Sequence, residues 1–287
     1  MSFNVRVLLV VIATGTCIAM LAFALMAQAL IHAGFASQRL TAPAAGLGVT
    51  CLTVCAFALA SAPSALGADT TSASIAVSLS PDRPGARAAL TVTIDYGGGE
   101  LGVPSPVRRS VLRMPAGLSL DIPKLRSCSA ARLRARGAAG CSSQSLLGRG
   151  QALAEVHAGS QRITEHATLW AFLGPLTGSL EPSFQILAQG YTPIDERKVL
   201  TGTVEGDDPP YGERLALPIP PIPSLPYEPD ASIVTFSLTI GAFVDGRAPI
   251  SRVLVPSVCP SGGFPFAGEF QYADGSKSSA YTSVPCP

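Results

Sequence analysis

Alternation of apolar and polar residues with a period of two constrains this chain more than any other feature. Ala89 to Tyr96 reads A-L-T-V-T-I-D-Y, with Leu90, Val92, Ile94 and Tyr96 on one face and Thr91, Thr93 and Asp95 on the other. Ala231 to Ile240 repeats the pattern, with Val234, Phe236, Leu238 and Ile240 opposite Thr235, Ser237 and Thr239. Successive side chains of an extended backbone point to opposite faces, so both segments read as half-buried strands. Such strands need hydrogen-bonded neighbours and a layer over their apolar face.

Weaker strand signals recur at Ser74 to Leu79, Val107 to Met114, Gln151 to His157, Arg162 to Leu173, Ser183 to Gly190, Lys198 to Val204, Ile250 to Val255 and Phe264 to Tyr272. Glycine and proline punctuate them, as at Pro81-Asp82-Arg83-Pro84-Gly85 and Gly206-Asp207-Asp208-Pro209-Pro210. Many short strands with such turns predict an all-β, antiparallel β-sandwich, either one large or two small. One short helix is expected over Ala130 to Arg136, with Ser127 or Ser129 as N-cap and Gly137 as its stop. Eight prolines between Pro209 and Pro229 predict an extended polyproline connection. The expected organisation is therefore a first β region over 69–208, a proline-rich connection over 209–229 and a C-terminal β region over 230–287.

The N-terminal part differs in composition. The chain holds 47% apolar and only 14% charged residues, and all 19 acidic residues lie at Asp69 or beyond. Residues 1–68 therefore read as targeting sequence that forms apolar helices. Val7 to Ile31 is an uncharged run of 25 residues, roughly 37 Å long as a helix and enough to cross a bilayer. Residues 1–39 are thus either a transmembrane anchor or a stretch ahead of a start at Met20 or Met26. Residues 40–68 have the form of a signal peptide, an apolar run ending in small residues, with cleavage expected after Ala68. Neither Cys51 nor Cys55 follows a small residue, which argues against lipidation.

Cysteine usage agrees with export. Of seven cysteines, Cys17, Cys51 and Cys55 fall in the leader, leaving Cys128, Cys141, Cys259 and Cys286. Four thiols allow three pairings. Neighbour pairing, Cys128 with Cys141 and Cys259 with Cys286, is expected because each pair brackets a turn-rich segment. A zinc site would want closer spacing and histidines, and His157 and His166 stand far from every cysteine.

Two motifs carry a resemblance. Met114-Pro115-Ala116-Gly117-Leu118-Ser119-Leu120, leading through Cys128 to Cys141-Ser142-Ser143-Gln144-Ser145-Leu146-Leu147-Gly148, is one. The other is Val258-Cys259-Pro260-Ser261-Gly262-Gly263-Phe264-Pro265-Phe266 through to Val284-Pro285-Cys286-Pro287. Together they resemble motifs of uncharacterised secreted β-rich proteins of high-GC Gram-positive bacteria. In that family a proline usually follows the second cysteine, where this chain has Ser142. The resemblance implies an exported β-rich domain and supplies no functional residues.

No Gly-x-Ser-x-Gly elbow, phosphate loop, dinucleotide fingerprint or His-Glu-x-x-His occurs, so no catalytic, cofactor-binding or metal-binding residue is assigned. His157 and His166 are nine residues apart and on one strand would face opposite sides. The acidic run Glu205-Gly206-Asp207-Asp208, with Glu213 nearby, lacks the spacing of a calcium loop and reads as a solvated turn.

Charge is unevenly distributed. Nine basic residues face Asp121 alone between Arg108 and Arg149, whereas nine acids face Arg162, Arg197 and Lys198 between Glu155 and Glu213. Either the two halves pair across strands, or the basic segment, with Arg132, Arg134 and Arg136 on the short helix, meets an anionic envelope polymer or lipid headgroups. Interleaved aromatics for nucleic acid are missing. The expected function is an exported, non-enzymatic β-sandwich of the cell envelope or exterior, serving as a binding or structural module. The alternatives are a secreted hydrolase with a non-local active site and a membrane-anchored structural module.

Overall fold

Both alternating segments are strands of one antiparallel sheet in the computed structural model, which describes residues 71–99, 102–122, 125–158, 161–176, 182–191, 195–224, 229–241 and 252–286. The segments 1–39 and 40–68 expected to be targeting sequence lie outside the described residues. Among those described, no helix is long and apolar enough to cross a membrane.

The strands are β1 (Ser72–Ser80), β2 (Arg87–Gly97), β3 (Val107–Pro115), β4 (Ser119–Leu120), β5 (Leu146–Ala158), β6 (Gln161–Leu176), β7 (Pro182–Gly190), β8 (Arg197–Gly206), β9 (Tyr211–Pro218), β10 (Ser232–Ile240), β11 (Val253–Leu254), β12 (Phe264–Tyr272) and β13 (Lys277–Val284). The helix α1 (Ala130–Arg136) lies between β4 and β5. The hydrogen-bonded order runs β13-β12-β3-β9-β8-β7-β6-β5-β10-β2, and β1 takes the other edge of β2. The sheet curls so far that β1 lies against β13, its opposite edge. Where β10 ends at Ile240, β11 takes over beside Arg87 and Ala88 of β2 and pairs onward with β4.

Curling gives the sheet an inside. Leu90, Val92, Ile94 and Tyr96 of β2 are buried there with Leu238 and Ile240 of β10, as the alternation requires. Phe264 and Phe266 of β12 are fully buried in the same core. The polar rows of β2 and β10 point outward and pair across the strands, Thr91 with Thr239 at 2.9 Å and Thr93 with Ser237 at 3.0 Å. One position departs from the reading. A register shift in β10 between Ile233 and Thr235 puts Ile233, not Val234, in the inner row beside Phe236.

A second, smaller core lies on the outer face. The Ser129 hydroxyl caps α1 by accepting from the Arg132 amide, and Gly137, at φ 63°, ends it by donating to the Leu133 carbonyl at 2.8 Å. Leu133 is thereby pressed onto Phe172, Leu187 and Val199 of β6, β7 and β8. Both cysteine pairs are joined as expected, Cys128–Cys141 with 5.8 Å and Cys259–Cys286 with 6.2 Å between Cα atoms. The Cys128 amide donates to the Leu173 carbonyl at 2.7 Å, tying the first pair to the sheet.

Three strands escaped the alternation test. β9 lies inside the span read as polyproline connection, but only its last residue, Pro218, is a proline, so the ladder from β3 to β8 passes through it. β13 (KSSAYTSV) buries only Ala280 and Val284, too few apolar residues for a pattern to show. β4 has two residues.

The two cystines should differ in what they hold. Cys128→Ser/Cys141→Ser should cost ~3 kcal/mol by loop closure and loosen α1 first. Unreduced peptide mapping should find both links, and amide exchange in the double variant should rise around Ala130–Arg136 before the β2–β10 core. Uniform acceleration across the sheet would contradict this.

Candidate functional site

Among the described residues the inner face is not filled. A cavity of about 440 Å³ lies between the β2–β10 wall, with Val92 and Leu238, and the β7–β9 wall, with Ile186 and Leu215. Its lining is chiefly aliphatic because each strand presents its apolar row inward. The volume falls within the ~300–1,000 Å³ usual for small-molecule sites.

Polar groups gather at one end of this cavity. Ser119 of β4, Glu205 and Gly206 of β8 and Gly212 and Glu213 of β9 line it there. Gly212 is required by close approach, since a Cβ at that position would stand 2.7 Å from the Ala116 Cα. Glu205 accepts from Nε and Nη2 of Arg214, at 3.0 and 2.8 Å.

An arginine fixes this end of the β8–β9 hairpin. Arg113 of β3 donates through Nε and Nη2 to the two carboxylate oxygens of Asp207, at 2.6 and 2.8 Å. Its guanidinium also lies 4.5 Å from the Tyr211 ring centroid and 3.6 Å from Glu269. The Asp207 side chain is only 4% exposed. Hydrogen bonding from Arg113 holds the Asp207 carboxyl below its usual range and raises the arginine in turn.

Deeper inside, Ser110 of β3 adds a hydroxyl to the lining. It hydrogen-bonds Tyr96, whose phenol burial pushes well above its ordinary value and keeps protonated. The Tyr96 ring packs edge-on against Phe270 at 5.2 Å and Tyr272 at 6.4 Å. At the other end, a smaller cavity of about 100 Å³ lies beneath residues 219–224, where Ile219, Ile222 and Pro223 cover it. Phe236 lines both cavities.

The residues singled out by sequence fall in different places. Arg132, Arg134 and Arg136 are exposed on α1, outside the curl, and have no acidic partner among the described residues. Other members of the basic segment are neutralised: Arg108 pairs with Asp230, and Arg113 with Asp207 of the acidic run. His157 and His166 stand on neighbouring strands, opposite Arg162 and Leu153 respectively, so the single-strand argument about their faces does not apply. His166 is exposed. No histidine lines either cavity, and no metal-ligand cluster occurs among the described residues. The cavity itself was missed because alternation marks a face as apolar without showing how far the opposite wall stands.

No protein family, curated protein sequence or solved structure matches the chain.

The Arg113–Asp207 pair sets a pH dependence. A carboxyl with a lowered folded pKa stabilises fully above its unfolded value of ~3.9, and this is lost as the pH falls through the folded value. Asp207→Asn should therefore cost about 1.5–3 kcal/mol near neutrality and little in strong acid. Urea unfolding across that range checks it, and parallel pH profiles for parent and variant would contradict it.

Proposed function

We propose that this protein is a non-enzymatic binding protein of the cell envelope or exterior that holds an apolar small molecule inside its curled sheet. The cavity of about 440 Å³, apolar along its walls and polar at one end, carries the reading. A well-packed core leaves few voids larger than a water molecule, so a space of this size calls for an occupant. Burial contributes about 0.8 kcal/mol per methylene, so a chain of roughly ten methylenes gains ~8 kcal/mol, which sets about micromolar as the tightest affinity before immobilisation costs are subtracted. We read the two walls facing each other across the cavity as the two layers of the expected sandwich.

Compartment follows from other features. The joined cysteine pairs suit an oxidising environment, and the signal-like residues 40–68 and the resemblance of the two cysteine motifs to exported proteins point the same way. A fluorescent apolar probe should bind the protein and be displaced by aliphatic amphiphiles. Ile186→Trp, filling the cavity from a position only 2% exposed, should weaken the probe by about tenfold or more at a stability cost of ~1–3 kcal/mol. Unchanged probe affinity in a folded variant would place the probe elsewhere and remove the reading's support.

A second reading concerns the outer face. Arg132, Arg134 and Arg136 remain exposed while Arg108 and Arg113 are ion-paired, which favours contact with an anionic envelope polymer or lipid headgroups. Replacing the three together should lower binding to isolated cell walls or anionic vesicles. Binding by the parent should fall steeply as salt shortens the screening length below ~8 Å. Equal binding by parent and triple variant at every salt concentration would leave the helix a solvated face.

A further inference from the structure

We infer, resting on the binding reading above, that the ligand is a single-chain amphiphile with an uncharged head, lying along the curl with its chain passing Phe236 into the chamber beneath the proline strap. The two cavities follow one another on the same strands. On β7, Ile186 lines the larger and Ala188 and Gly190 the smaller. On β8, Val204 lines the first and Leu200 the second, and on β10 Leu238 and Ile233 do the same on either side of Phe236. Phe236 thus forms the partition between two consecutive chambers.

Residue size explains the second chamber. Ala152 and Ala154 of β5, Ala167 of β6 and Ala188 of β7 line it, and their short side chains leave open a space that Ile219, Ile222 and Pro223 cover. Backbone bonds hold that cover in place, from the Ile219 amide to the Arg108 carbonyl and from the Ala231 amide to the Ile222 carbonyl, both 2.8 Å. From Pro182 to Gly190, β7 runs beside both chambers for roughly 26 Å at ~3.3 Å per residue. A fused-ring or branched molecule would occupy only the wide chamber, whereas a linear chain uses the whole length by displacing one phenyl ring.

The head group follows from the polar end. Glu205, held by Arg214, lines it with Glu213 and Ser119, so an anionic head would add negative charge beside two carboxylates, whereas hydroxyls can share their remaining acceptor sites. Monoacylglycerols have this chemistry and come in graded lengths.

The test is binding of monoacylglycerols from eight to eighteen carbons, by titration calorimetry, to the full disulfide-bonded protein. Parent affinity should rise by up to about fourfold per added methylene. Ala188→Leu and Ala154→Leu fill the far chamber from different strands, so either can report if the other misfolds. Each should weaken the sixteen-carbon ligand by about tenfold or more and leave the eight-carbon ligand within about twofold of the parent. Variants that weaken both lengths equally, or neither, would overturn the two-chamber assignment while leaving the wide cavity as a binding site. Absence of binding at any length would overturn the binding reading and this inference with it. A fatty acid of equal length that binds as well as the monoacylglycerol would overturn the head-group assignment.

Discussion

The described part of this molecule depends on burying one face of a sheet against the far wall of the same sheet. The inner row from Leu90 to Tyr96 can leave water only if strands remote in sequence are brought around to face it. The ladder supplies that by running from β2 through β10, β5 and β6 to β7, β8 and β9, and returning through β3 and β12 to β13 beside β1. Strand twist of fixed hand makes such curling natural for a long antiparallel path. The same curl that buries the apolar rows keeps opposite walls apart, so fold and cavity share one cause.

The two ends of the curl are managed by different chemistry. At the polar end, Arg113 holds the β8–β9 hairpin to β3 through Asp207, with Tyr211 beneath the guanidinium. At the other end residues 219–224 cross the opening, and their prolines suit an extended segment that makes few ladder bonds. Outside, α1 covers apolar residues of β6, β7 and β8 that would otherwise face solvent, with the Cys128–Cys141 bond beside it.

Much of the architecture was legible in the residues. The alternation over Ala89 to Tyr96 named four inner residues correctly, and Ser129 and Gly137 marked both ends of α1. What failed did so for local reasons. A bulge at Val234 shifted the inner row of β10, and β13 spends its surface on serine and threonine. β9 was hidden because prolines flank it, although only Pro218 belongs to the strand. Charge was legible only in part: opposite charges meet at Arg108–Asp230 and Arg113–Asp207, while the arginines of α1 stay apart from acids. The cavity was illegible because its width depends on pairings such as Ser183 with Thr203 and Val111 with Ala216, which no local pattern encodes.

The central claim is that the space enclosed by the curl, and not the outer face, receives an apolar ligand. Intermolecular NOEs from methyl-labelled protein to the acyl protons of a bound monoacylglycerol test it most directly. The account predicts NOEs to Val92, Ile186 and Leu238, which stand on three different strands around the cavity. Contacts confined to exposed apolar residues such as Leu176 and Val258 would contradict it.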